Sequence, residues 1–166
     1  EGNEETDVCV IGAGLFGLFT AYYLSKLGKK VIVLEKGDIG EKVSGNTTGK
    51  ITSQHGLFYK HLIDDYGEEY ARQYLEANEE AIENIKEIIN NENIECDFSE
   101  KNAYVYTTNE DEVIEIEKEV EAVRKLGKNA EFVTKTDLPF KVKGAIKFEG
   151  ESIFFQRHVE IRTDDK

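Results

Sequence analysis

The sequence predicts an α/β fold class: a βαβ unit with a parallel strand pair at the start of the chain, then an α+β segment. Three observations carry this. Residues 7–11 are a short apolar run ending in glycine, the pattern of a strand buried on both faces. A helix-period segment follows as far as Leu27, and then a second apolar run, Val31-Ile32-Val33-Leu34. The 166 residues are 39% hydrophobic, enough for one core, or a large and a small one.

The elements follow in order. Residues 1–6 are a polar, acidic lead-in, and Cys9 within the first strand reads as a buried small hydrophobe. Residues 12–17 form a turn that opens a helix with Leu18, Ala21, Leu24 and Leu27 on one side, and Gly28 stands where a C-terminal cap belongs. Residues 37–56 are a long loop rich in Gly, Ser, Thr and Asn. A short helix is expected over 57–66 and a long one over 68–91, with Ala71, Tyr74, Asn78, Ile82, Ile85 and Ile89 on one stripe. Residues 103–107 have strand composition. Asn109 and Glu112 read as a capping box for a helix carrying Val113, Ile116, Val120, Val123 and Leu126, which stops at Gly127. Residues 131–134, 145–148, 152–155 and 159–163 are short strand candidates. The domain expectation is a unit over 1–56 and a helical and partial α+β portion over 57–166.

With 34 acidic and 21 basic residues, the formal charge is −13. That balance argues against nucleic acid, which needs clustered Lys and Arg, and suits a soluble cytoplasmic protein. The Glu-rich helices read as solvated faces. No run of 18 apolar residues predicts a membrane span, and no secretory signal is apparent. Cys9 and Cys96 lack metal or disulfide spacing, and His55, His61 and His158 lack ligand spacing, so no metal site is expected. The absence of methionine suggests that the chain begins downstream of its natural start.

The chemistry concentrates in Gly12-Ala13-Gly14-Leu15-Phe16-Gly17, set between a strand and a helix. Gly12 suits a tight turn, Gly14 the approach of a pyrophosphate, and Gly17 close packing of helix on strand. Free N–H groups and the dipole at the helix start hold a diphosphate without a lysine. Glu35, 18 residues after Gly17 and at the end of the second strand, suits the two ribose hydroxyls of an adenosine and repels a 2′-phosphate. A glycine-rich turn without a ligand is the plain alternative. After Glu35 and Lys36 comes no further βαβ unit but the small, hydroxyl-rich stretch 44–56, which points to FAD rather than NAD; a solvated loop is its alternative. On these grounds the first unit reads as a Rossmann-type FAD-binding domain.

The stretch 6–56 resembles the N-terminal part of the FAD-dependent oxidoreductases of the D-amino-acid oxidase/glycine oxidase class, most of all the bacterial branch often fused to a Rieske iron–sulfur domain. The likeness rests on Val10-Ile11-Gly12-Ala13-Gly14, on Val31-Ile32-Val33-Leu34-Glu35-Lys36, and on Thr47-Thr48-Gly49-Lys50-Ile51-Thr52-Ser53-Gln54-His55, and continues loosely through 103–107 and Pro139-Phe140 to about Phe148. It implies FAD binding and two-electron oxidation of a C–N bond in an amino acid or amine. By position, Gly12, Gly14 and Gly17 meet the pyrophosphate and Glu35 meets the ribose, and Leu15, Phe16 and Lys36 count among the cofactor-binding residues. Ser44, Asn46, Thr47, Thr48 and Ile51 lie along the flavin.

Members of that class are more than twice this length, so the chain reads as truncated, with an incomplete substrate portion, and a deletion is suspected near Glu149-Gly150. The rival expectation is a non-catalytic fragment that binds FAD or ADP weakly, or nothing, and self-associates as a homo-oligomer. No catalytic side chain is assigned. His55 suits a flavin tether, a group that orients substrate, or a loop histidine bonded to backbone. Lys50 reads as solvated or as a counter-charge to reduced flavin. Tyr104 and Tyr106 share a strand face as a substrate wall or as packing.

Overall fold

The computed structural model describes residues 3–41, 44–47 and 49–155, with backbone alone for 152–155. The strand candidate at 159–163, His158 and Thr48 lie outside the described residues. The chain forms two compact units, 1–48 and 49–166.

In the first unit, β1 (Val8–Ile11) and β2 (Val31–Leu34) are a parallel pair, registered Val8↔Val31 to Ile11↔Leu34 and joined by helix α1 (Leu15–Lys26). The pair is pinned at its start: Lys30 N–H donates to Asp7 Oδ2 at 2.8 Å, and the Thr6 hydroxyl to Lys30 O at 2.6 Å. At the other end of α1, Gly28 N–H donates to Ser25 O and Lys29 N–H to Leu24 O. This paired closure is the glycine cap expected there.

Burial corrects the sequence reading. Neither strand is buried on both faces, because one helix covers one side of two strands. Val8 and Val10 are half-buried, whereas Ile11 is 87% exposed and Cys9 is exposed. Leu27 also emerges into solvent, one residue past the helix.

In the second unit, β6 (Gly144–Phe155) is the central strand of an antiparallel sheet. β4 (Asp97–Thr107) runs along one of its edges, while β3 (Lys50–Ile51) and β5 (Glu131–Val133) share the other. The runs 145–148 and 152–155 are therefore one strand, a correction to two short ones. Lys101 pairs with Glu151 but Ala103 with Phe148, so β6 carries one extra residue there. The Glu149-Gly150 pair thus marks a β-bulge, with Gly150 at φ +73°. β4 likewise extends well before residue 103, because β6 offers it a partner along its whole length.

Helices α2 (Tyr59–Tyr66), α3 (Glu68–Asn91) and α4 (Val113–Lys125) complete this unit. Its core gathers Tyr59, Leu62, Ala71, Leu75, Ile116, Val120, Val123, Leu126, Ile146 and Phe148. On α3 the buried residues are Ala71, Leu75 and Ile82, with Asn78 half-buried and donating to Tyr74 O. The capping box forms by half. Asn109 Oδ1 accepts from Asp111 N–H at 3.1 Å, but the Glu112 carboxylate accepts the Thr107 hydroxyl instead of reaching back to Asn109 N–H, which donates to Thr107 Oγ1. A short 3₁₀ turn over Glu110–Glu112 results before α4 begins.

Candidate functional site

The glycine loop takes its shape from the meeting of β1 and α1. A Cβ at Gly17 would stand 2.0 Å from Gly12 O and 3.4 Å from Val10 Cγ1, so only glycine lets the helix lie this close to the strand. Gly12 N–H donates to Leu34 O at 2.7 Å, tying the loop to the end of β2. At Gly14 a Cβ would meet Ser44 Oγ at 3.3 Å. That hydroxyl accepts the Leu15 N–H at 3.0 Å, so it satisfies a donor at the start of α1.

Glu35 faces the same loop. Its Oε2 accepts the Ala13 N–H at 2.8 Å, and its Oε1 accepts Lys36 N–H at 2.8 Å and Gly37 N–H at 3.0 Å. Three backbone donors thus fix one carboxylate beside the helix start. The next turn closes over it, with Gly40 N–H donating to Ala13 O at 3.0 Å. Ala13, Gly14, Glu35, Asp38, Gly40, Glu41 and Ser44 line a cavity of about 210 Å³. Whole-ligand sites run to about 300–1,000 Å³, so this volume suits one end of a dinucleotide. A glycine cradle, a hydroxyl exchangeable at a helix N-terminus and an oriented carboxylate fit a diphosphate joined to a ribose. The lining carries three carboxylates, those of Glu35, Asp38 and Glu41.

Of the residues singled out from the sequence, Gly14, Glu35 and Ser44 line this cavity, and Leu15 joins them through Ser44. Asn46 donates to Glu41 O at 3.2 Å. Phe16 is 89% exposed, and Thr47 and the Lys36 side chain are also exposed. Ile51 belongs to the second unit, in β3 opposite Ser152. Asp38, Gly40 and Glu41 were not singled out. The acidic, glycine-flanked stretch directly after Glu35 was the signal that points to them.

The second unit holds a buried polar cluster at the end of the hydroxyl-rich loop. Glu151, only 2% exposed, accepts Ser53 N–H at 2.9 Å through Oε2 and the Ser53 hydroxyl at 3.0 Å through Oε1. Lys128 Nζ donates to Glu151 Oε1 at 3.0 Å, to Ser53 Oγ at 2.9 Å and to the Glu79 carboxylate, and lies 4.9 Å from the centre of the Phe148 ring. Burial pushes the Glu151 carboxyl up, but hydrogen bonds from Thr52, Lys128 and Ser53 and the charge of Lys128 outweigh it, leaving the group below its ordinary value. The Tyr59 hydroxyl donates to Ser53 O, and burial pushes that phenol well above its ordinary range. His55 Nε2 stands 3.5 Å from Asn78 Oδ1, a side-chain rather than a backbone partner. Lys50 is exposed, and the Tyr106 ring packs 5.1 Å from that of Phe140.

Comparison with known proteins gives one family. The model of the family described as FAD dependent oxidoreductase matches residues 7–158. The Bacillus subtilis protein YhfW, named for a Rieske 2Fe-2S iron–sulfur centre, is 37% identical over 150 residues, covering 90% of this chain and 30% of that one. Gamma-glutamylputrescine oxidoreductase of Escherichia coli is 35% identical over 92 residues, covering 55% of this chain and 22% of that one. Among solved structures, L-proline dehydrogenase from P. horikoshii superposes with a TM-score of 0.70 at 21% identity, covering 91% of this chain and 38% of that one. The chain thus spans about a third or less of the curated relatives it matches.

Proposed function

This chain belongs to the FAD-dependent oxidoreductase family, and we propose that its residues 12–17, Glu35 and Ser44 hold the adenosine-diphosphate end of FAD. The observation that supports this most is the meeting of the Gly14 cradle, the Leu15 N–H and the Glu35 carboxylate at one cavity. In this reading the diphosphate takes over the Leu15 N–H from Ser44 Oγ, and the α1 dipole adds to its binding. Glu35 turns from Ala13 N–H towards the ribose hydroxyls, held in place by Lys36 N–H and Gly37 N–H. Leu15 and Phe16 lie along the diphosphate by chain order, Lys36 beside the ribose, and Asn46, Thr47, Thr48 and Ile51 serve the rest of the cofactor.

Bound FAD supplies two-electron acceptance from a substrate carbon–hydrogen bond. The substrate class we propose is an amino acid or amine. The family supports it, as does a relative named for gamma-glutamylputrescine. No side chain of this chain is assigned to proton transfer; its share is binding and orientation. Among the described residues, no helix is long and apolar enough to cross a membrane. The acidic balance of the sequence supports a cytoplasmic protein that does not bind nucleic acid. Self-association through an unpaired sheet edge is the accompanying proposal for assembly.

The test is reconstitution of the purified chain with FAD, followed by gel filtration. Co-elution of FAD with the parent, and its loss in Gly14→Val with an unchanged circular dichroism spectrum, is expected. Equal retention by both proteins overturns the assignment of the site.

A further inference from the structure

Gln54 is buried to 2% exposure, and neither its side-chain oxygen nor its side-chain nitrogen has a hydrogen-bond partner among the described residues. A carboxamide offers two donors and two acceptor lone pairs. Leaving all of them unmet inside a fold is costly and uncommon, and where it occurs it calls for an explanation. The backbone around it is firmly held. Gln54 N–H donates to Thr52 Oγ1 at 3.0 Å. Its neighbour Ser53 is fully buried and clamped on every polar atom: N–H and hydroxyl on Glu151, the hydroxyl also receiving Lys128, and the carbonyl receiving the Tyr59 hydroxyl. A buried glutamate paired with a half-buried lysine, braced by Glu79, is an expensive way to fix a loop. What it fixes is the backbone that carries the Gln54 amide.

We infer that Gln54 is a ligand-binding residue, its carboxamide held ready for a bound group that presents a hydrogen-bond acceptor beside an N–H donor. The amide NH₂ donates to the acceptor, and the amide oxygen accepts from the N–H. The pyrimidine ring of a flavin carries that pair as a carbonyl next to a ring N–H, and an amino acid carries it as a carboxylate next to its amine. The inference rests on the proposed function for the choice of these two sources. Ser53, Glu151 and Lys128 act as positioning residues, since each reaches the ligand only through the loop.

The experiment uses the 166-residue chain and the variants Gln54→Leu and Gln54→Met, the second keeping the unbranched shape should the first not fold. Three readings are taken: thermal unfolding without ligand, the dissociation constant for FAD, and, on the FAD-loaded chain, the dissociation constant for proline read from the flavin spectrum. The variants are expected to unfold at a higher temperature without ligand, because an unmet polar group has been removed. A rise of tenfold or more in the FAD constant names the flavin as partner. The same rise confined to proline names the substrate. Unfolding at a lower temperature without ligand means the amide is already satisfied inside the fold, as by a trapped water, and overturns the inference whether or not the parent binds FAD. Unchanged constants in both titrations overturn it as well. Failure of the parent itself to take up FAD contradicts the proposed function instead, and the unfolding reading keeps the two failures apart.

Discussion

Glu119 Oε1 lies 2.7 Å from the backbone nitrogen of Tyr59, with both residues buried. The same oxygen accepts Phe58 N–H at 2.7 Å, and Oε2 accepts Lys60 N–H at 2.9 Å. A carboxylate from α4 therefore caps α2, which has no side-chain cap of its own. It also complements the positive end of the α2 dipole. Glu119 thus departs from the expectation that the Glu-rich helices are solvated faces.

Replacing Glu119 tests this directly. Glu119→Ala leaves three backbone donors without their acceptor in a buried site, at about 1–3 kcal/mol for such a group. A loss of about 3 kcal/mol or more is expected in urea unfolding. Glu119→Gln keeps one acceptor oxygen and is expected to lose less. An alanine variant as stable as the parent contradicts the capping role.

The second and third glycines of the loop separate folding from binding. Gly17→Ala places a methyl 2.0 Å from Gly12 O, so backbone must move. Its first unit is expected to lose cooperative melting and FAD together. In Gly14→Val the Cβ meets only Ser44 Oγ, at 3.3 Å and not backbone, so the fold is expected to survive and FAD binding to fail. Calorimetry beside FAD titration reads both.

Glu35→Ala removes a carboxylate that holds Ala13, Lys36 and Gly37 N–H groups. Hydrogen bonds to a charged group are worth about 1.5–3 kcal/mol, so FAD affinity is expected to fall at least tenfold. A dissociation constant within about twofold of the parent, well under the 1.4 kcal/mol that a tenfold change represents, contradicts the ribose role.

Acid stability reports on Glu151. Its folded value lies below the ordinary 4.5, so its contribution is complete above the unfolded value and fades as pH falls through the folded one. The parent is therefore expected to lose more stability than Glu151→Gln on acidification from pH 7 to below 4.5. Urea midpoints of the two proteins across that range test it. Parallel curves would show that the Lys128 pair contributes nothing pH-dependent.

Local rules made much of this legible. The βαβ start, the Gly28 closure and the bounds of α3 follow from patterns within a few residues of each other. So does the stripe Ile116, Val120 and Val123 on α4. What the sequence hid depends on distant partners. Cys9 and Ile11 sit in an apolar run, yet a two-stranded sheet with one helix leaves their side uncovered. Glu119 reads as one more solvated glutamate until α2 packs against it, 60 residues earlier in the chain than its carboxylate. Glu151 looks like part of a break between two strands, whereas a bulge keeps β6 continuous and sends its carboxylate to Ser53. Gln54 lies within the stretch 47–55 that carries the resemblance, but nothing in that stretch marks its side chain, whose interest arises from burial without a partner.

The central claim, that the glycine loop and Glu35 hold FAD, is tested most directly by thermal unfolding of the flavin-free chain with and without FAD. A ligand at 100 times its dissociation constant adds about 2.7 kcal/mol to the folded state. The account predicts a clear rise in unfolding temperature with FAD, abolished in Gly14→Val and reduced in Glu35→Ala. An unfolding temperature that FAD leaves unmoved in the parent, or moves equally in all three proteins, would contradict it.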